Sequence, residues 1–250
     1  KNSKFPLIIS GGGVFYSDAM KELSDFAIKH NIPVTQTVMG YSTMRRDHSH
    51  FLGPIGGLGG KAANNLAKKT DLVIAIGTRL ADFTTGSWAN FENPNFKLVS
   101  VNTARYDTTK HLATPVISDA KVGLQKISEA LGDWKAPDDW YKRAIKEKNE
   151  WDAYVEKQSG PTNQEEPSYA HAVGAVYRNS DPSDIVVTAA GGLVGEVVQV
   201  WKPKQLNTFE TEWGFSCMGY EISGALGIKM AKPDQDVVVF VGDGSYLLNN

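Results

Sequence analysis

Near the end of the 250-residue sequence, the β-branched run Val237-Val238-Val239-Phe240-Val241 gives way to Gly242-Asp243-Gly244-Ser245. One carboxylate between two glycines suits phosphate chemistry. Glycine lets backbone N–H groups approach phosphate oxygens, and the Asp can hold a hard cation such as Mg²⁺ that bridges them. The same residues also make an ordinary tight turn after a strand, so the rest of the chain has to separate the two readings.

Two other segments share this character. Ala190-Gly191-Gly192-Leu193-Val194-Gly195-Glu196 follows an apolar run and reads as a strand-to-helix turn able to offer backbone donors to an anion. Trp213-Gly214-Phe215-Ser216-Cys217-Met218-Gly219-Tyr220 leads into a stretch rich in small residues, with Ser223, Gly224, Ala225 and Gly227. All three would meet at one sheet edge if their strands are parallel neighbours, because open α/β sheets bind ligands beyond the carboxyl ends of their strands.

The elements that would position them follow a βαβ rhythm. Strands are predicted at 7–10, 33–37, 72–77, 98–102 and 115–118, with helices at 17–30 and 121–131 and Gly11-Gly12-Gly13 at the first strand-to-helix turn. This predicts an α/β fold: a Rossmann-like doubly wound parallel sheet over residues 1–132. Residues 133–166 read as a linker, in which Trp140, Ala144, Trp151, Tyr154 and Val155 fall on one face of a helix. A second α/β domain is expected over 167–250, with a helix at 168–178, a strand at 184–189, a helix after Cys217 and the Val237 strand. Two clear strands are too few to enclose a core, so this domain reads as truncated.

Composition narrows the partners. Hydrophobic residues make up 41% and charged residues 22%, the profile of a soluble globular chain, and the net charge of −2 gives no electrostatic case for nucleic acid or an anionic membrane. A small-molecule substrate is the better expectation. The single cysteine, Cys217, excludes an internal disulfide framework and fits a cytoplasmic location. The apolar run at residues 6–9 is too short for a signal sequence or a membrane span.

The order of these segments resembles the thiamine-diphosphate-dependent enzymes related to acetolactate synthase. Residues 1–132 resemble their central domain and residues from 167 the opening of their diphosphate-binding domain. Within the family, Asp82-Phe83-Thr84-Thr85-Gly86-Ser87-Trp88, Gly214-Phe215-Ser216-Cys217-Met218-Gly219-Tyr220-Glu221 and Gly242-Asp243-Gly244-Ser245-Tyr246-Leu247 resemble a branch that hydrolyses a C–C bond of a cyclic trihydroxy 1,2-dione in myo-inositol catabolism. The resemblance implies thiamine diphosphate and Mg²⁺ as cofactors, and a homo-oligomer for the complete protein.

Carried over position by position, Asp243 resembles the side-chain Mg²⁺ ligand, and Gly242, Gly244 and Ser245 the turn around the diphosphate, with Gly191 and Gly192 in the facing turn. Met218 resembles the apolar wedge that bends the cofactor, and its backbone with the Ser216 carbonyl would bind the aminopyrimidine. A plain core methionine is the alternative for Met218. The family's Asn-Asn pair lies farther from Gly-Asp-Gly than Asn249-Asn250 does, so those two are not ligands. The catalytic glutamate belongs to the family's first domain, on a neighbouring subunit, so the resemblance places it outside this chain and implies an inactive fragment.

A lyase or synthase of the acetolactate type, and a non-catalytic nucleotide-binding or scaffold module, are the alternatives. The remaining chemistry-bearing residues point elsewhere. The five histidines are dispersed, and His48 beside Asp47 and His50 reads as a polar loop rather than a metal site. Arg79 could contact a nucleotide or simply face solvent. Cys217 reads as packing rather than a nucleophile, and Ser216 lacks a Gly-x-Ser-x-Gly frame. Glu210, Glu212, Trp213 and Tyr220 could contact a substrate or could cap and pack the following helix.

Overall fold

A computed structural model describes residues 1–248. The chain divides into two compact units, Lys1–Trp151 and Asp152–Asn250.

The first unit holds strands β1 (Pro6–Ser10), β2 (Val34–Gln36), β3 (Phe51–Pro54), β4 (Leu72–Ile76), β5 (Lys97–Asn102) and β6 (Thr114–Ile117). They form one parallel sheet in the order β3-β2-β1-β4-β5-β6, the doubly wound order that the alternating pattern predicts. Because both faces are covered, the central strands read as unbroken apolar runs whose alternate residues enter different cores. Ile8, Val34, Ile74 and Ile76 pack with Leu23, Phe26 and Leu124 from the helices Met20–His30 and Ala120–Leu131. Leu7, Ile9, Val73 and Ala75 pack instead with Leu66, Trp140 and Ala144.

The predicted strands are found within a residue or two of their expected ends. Three differences have local causes. The predicted helix 17–30 begins only at Met20, since Asp18 takes φ +47° and separates it from a short helix, Gly12–Tyr16. Strand β3 was not anticipated, because Gly53 and Pro54 weaken a strand signal that an edge position tolerates. In the long helix Asp138–Ser159, Trp140, Ala144 and Val155 are buried, but Tyr154 is 54% exposed, one position off their row.

The second unit contains a parallel three-stranded sheet, β8-β7-β9, built from β7 (Ile185–Thr188), β8 (Phe209–Thr211) and β9 (Val237–Val239). It thus has three strands where sequence reading finds two. Strand β8 is only Phe209, Glu210 and Thr211, with a single apolar residue, too brief for a periodic signal. The helices Tyr169–Asn179, Leu193–Val200 and Tyr220–Ala231 pack in this unit, and Ser168 caps the first through a reciprocal hydrogen-bond pair with His171. Among the described residues no helix is long and apolar enough to cross a membrane.

Candidate functional site

Strands β7 and β9 are neighbours, with Val187 level with Val239, so the segments that follow them leave the same edge of the sheet. After β7 comes Gly191, with φ +85°, and Gly192, the residue before the helix Leu193–Val200. After β9 comes Gly242, and Asp243 opens the helix Asp243–Leu248. A Cβ built on Gly191, Gly192 or Gly242 would meet nothing within 4 Å. These three glycines therefore border open space, whereas glycines selected for close packing have none.

The third segment is fastened to this edge. The Ser216 hydroxyl donates to the Ala189 carbonyl at 3.2 Å, and Ser216 itself sits at φ +54°. Glu212 accepts from the N–H groups of Phe215 (2.9 Å) and Cys217 (2.6 Å), clasping the loop. Burial would raise the Glu212 carboxyl, but the N–H donors of Cys217, Phe215 and Gly214 together hold it below its ordinary value. Both its oxygens are thus used in shaping the loop. Burial pushes the Glu210 carboxyl up, offset in part by the Tyr220 hydroxyl, which donates to it at 3.4 Å. Burial and the adjacent Glu212 charge raise the Cys217 thiol, which disfavours the thiolate a nucleophile needs.

Met218 is 52% exposed, and its methyl group lies 3.5 Å from where a Cβ on Gly244 would stand. It is therefore at the rim of the site and not in a core. Asp243 is exposed, with Oδ1 accepting from the Gly244 N–H at 2.9 Å. Ser245 points inward and is only 3% exposed.

Its partner is a residue with no chemical signal of its own in the sequence. Glu221 is fully buried. Its Oε1 accepts from the Ala190 N–H at 3.1 Å, and its Oε2 accepts from the Gly219 N–H at 3.1 Å and from the Ser245 hydroxyl at 2.7 Å. The Ser245 oxygen in turn accepts from the Gly219 N–H at 2.7 Å. One carboxylate thereby ties together the three segments singled out from sequence.

What the site offers is an exposed carboxylate at Asp243, room beside three glycines, and an apolar side chain at the rim. Open space at glycines suits a diphosphate, and a lone exposed carboxylate suits a cation shared with its oxygens. Thiamine diphosphate with Mg²⁺ fits this donor set. Asn249 and Asn250 lie outside the described residues. Among the described residues no three His, Cys, Asp or Glu side chains gather as a metal site.

The first unit presents a different edge. Between β1 and β4, where the strand order reverses, the Gly11 and Gly13 N–H groups donate to the Ile76 and Gly77 carbonyls, both at 2.9 Å. A Cβ on Gly13 would lie 2.5 Å from the Gly77 Cα. This glycine turn therefore joins two strands closely and leaves those N–H groups no anion to bind. Arg79 is exposed just beyond β4. Two of the histidines hydrogen-bond within the fold. Buried His30 bonds the Trp134 carbonyl and Ser128, while His48 bonds Ser24 and accepts from the His50 N–H.

Comparison with known proteins places the chain in a family. The family model for the thiamine pyrophosphate enzyme central domain matches residues 1–127, and that for the C-terminal TPP binding domain matches residues 189–250. Proteins named 3D-(3,5/4)-trihydroxycyclohexane-1,2-dione hydrolase are similar over nearly the whole chain. Those of Geobacillus thermodenitrificans and Clostridium tetani are 38% and 39% identical over 99% of it, and that of Bacillus anthracis 35% over 98%. The chain spans 42% of the length of each of these relatives. With over half of its residues matched by the central-domain model alone, this chain belongs to the thiamine pyrophosphate enzyme family.

Proposed function

We propose that this chain supplies the central domain and part of the cofactor site of a thiamine-diphosphate- and Mg²⁺-dependent hydrolase that cleaves a C–C bond of a cyclic trihydroxy 1,2-dione, in the cytoplasm and as a homo-oligomer. The observation that carries the reading is identity of 35–39% across 98–99% of the chain to relatives that bear one hydrolase name.

Thiamine diphosphate, when bound, supplies the nucleophilic carbon that attacks a carbonyl and the electron sink that lets the adjacent C–C bond break. The chain's own residues hold and orient it. Asp243 would offer a carboxylate oxygen to Mg²⁺, whose charge would offset that of the diphosphate. Gly191, Gly192, Gly242 and Gly244 let the main chain come close to phosphate oxygens, as does the main chain of Ser245, whose hydroxyl is committed to Glu221. Met218, exposed at the rim, would hold an apolar side chain against the cofactor, and its backbone with the Ser216 carbonyl would bind the aminopyrimidine. Polar side chains must match several ring hydroxyls, and such a site rejects analogues that lack them.

The test uses the full-length gene product with thiamine diphosphate and Mg²⁺. Ring opening of the cyclic trihydroxy dione, with little product from pyruvate, is the expected result. Acetolactate or acetaldehyde from pyruvate without ring opening would keep the family and discard the substrate.

A further inference from the structure

A fully buried carboxylate is costly unless donors surround it, and a chain that retains one gains something specific from its geometry. Glu221 receives three donors, and they come from three places far apart in sequence: Ala190, Gly219 and Ser245. Each neighbours a residue assigned to the cofactor. Ala190 precedes the Gly191-Gly192 turn, Gly219 follows Met218, and Ser245 closes the Gly242-Asp243-Gly244 turn. Gly219 takes φ +91° at the start of the helix Tyr220–Ala231, so its N–H direction depends on being held there.

The arrangement leaves little tolerance for a neutral substitute. Both carboxylate oxygens act as acceptors toward N–H or O–H groups that cannot all reverse. Ala190 and Gly219 donate from the main chain, and the Ser245 oxygen already accepts from Gly219. An amide in place of the carboxylate would turn an NH₂ group against one of these donors.

We propose that Glu221 is the positioning residue of the cofactor site: its carboxylate sets the spacing of the two phosphate-facing turns and the Met218 loop, without touching the cofactor itself. The proposal rests on the thiamine diphosphate reading above. It goes beyond that reading by assigning cofactor affinity to a residue with no exposed atom.

The experiment is Glu221→Gln in the full-length gene product, with Ser245→Ala as the milder variant should the first fail to fold. Thiamine diphosphate affinity in the presence of Mg²⁺ is measured by titration calorimetry, and amide hydrogen exchange is followed at Ala190 and Gly219. Glu221→Gln is expected to weaken cofactor affinity at least about tenfold and to speed exchange at both amides, in protein whose unfolding temperature lies well above the assay temperature. Ser245→Ala should weaken affinity less, and the double variant should be no worse than Glu221→Gln alone, because both changes break one network. Turnover at saturating cofactor should fall far less than affinity, a split that general loss of stability would not produce. Folded Glu221→Gln, or failing that Ser245→Ala, with wild-type cofactor affinity would overturn the proposal. Wild-type protein that binds no thiamine diphosphate would overturn the underlying reading instead.

Discussion

Gly192→Ala separates a glycine kept for a turn from a glycine kept for a ligand. Gly192 has φ −66° and ψ −28°, a conformation open to any residue, and a Cβ there meets nothing within 4 Å. Folding therefore has no use for the missing side chain. Reduced freedom of the unfolded chain stabilises alanine by about 0.4–1 kcal/mol, while alanine as the weaker residue before the helix costs about 0.5–1 kcal/mol, so the net change should stay within about 0.5 kcal/mol. For a chain of this size that is a shift of roughly 2 °C or less in unfolding temperature. Binding should respond differently. A methyl group where a phosphate oxygen approaches the main chain removes about one charge-assisted hydrogen bond, roughly 1.5–3 kcal/mol, or about 10- to 150-fold in affinity. Gly191→Ala is the contrast, since φ +85° strains any side chain and should lower stability as well. Calorimetric titration with thiamine diphosphate and Mg²⁺, beside thermal unfolding of the same full-length protein, reads both quantities. Unchanged affinity in Gly192→Ala would reduce the turn to a structural feature and refute the cradle.

Asp243→Ala should sharply raise the Mg²⁺ and thiamine diphosphate concentrations needed for half-saturation, because the diphosphate loses the cation that neutralises it; unchanged metal dependence would remove Asp243 from the site. Met218→Ala should lower turnover more than cofactor affinity, since it loosens a geometry and not a charge contact, and a pure binding defect would count against the wedge role. In the first unit, burial, with His48 nearby, lowers the pKa of His50 to about 4. The unfolded chain takes up this proton near 6.5 and the folded one does not, so stability is full above about pH 6.5, falls as the pH drops toward about 4 and then levels, by about 1–2 kcal/mol after allowance for screening. Urea unfolding at pH 7 and pH 4.5 measures that loss, and His50→Gln should reduce it while leaving the part due to His30 and His48, whose pKa values burial also lowers.

The elements that sequence reading located best are those whose signal is local and long. The run Leu7-Ile8-Ile9 is buried on both faces, as a central parallel strand requires, and the glycine turn after it marks its end. The helix Asp138–Ser159 is legible because Trp140, Ala144 and Val155 recur at helical spacing over 22 residues. Strands β3 and β8 were not, for a shared reason. Each has only three or four residues, lies at a sheet edge, and acquires its identity from a neighbour: β3 from β2, and β8 from β7. No window on the chain contains that information.

The site divides along the same line. Gly242-Asp243-Gly244 is recognisable because its three residues are adjacent in sequence and follow an apolar strand. Glu221 gives no such signal, since an acid in the first turn of a helix already has an ordinary explanation in the helix dipole. Its neighbours Tyr220, Ile222, Ser223, Gly224 and Ala225 say only that the helix packs closely. What sets it apart is its full burial and its three donors, and these exist only once β7 and β9 lie side by side and bring Ala190 and Ser245 to the same edge. An acid that acts through contacts 24 and 31 residues away cannot be distinguished from a surface acid until the sheet is assembled. The residue that holds the site together was therefore the least legible part of it, although each segment it joins could be named in advance.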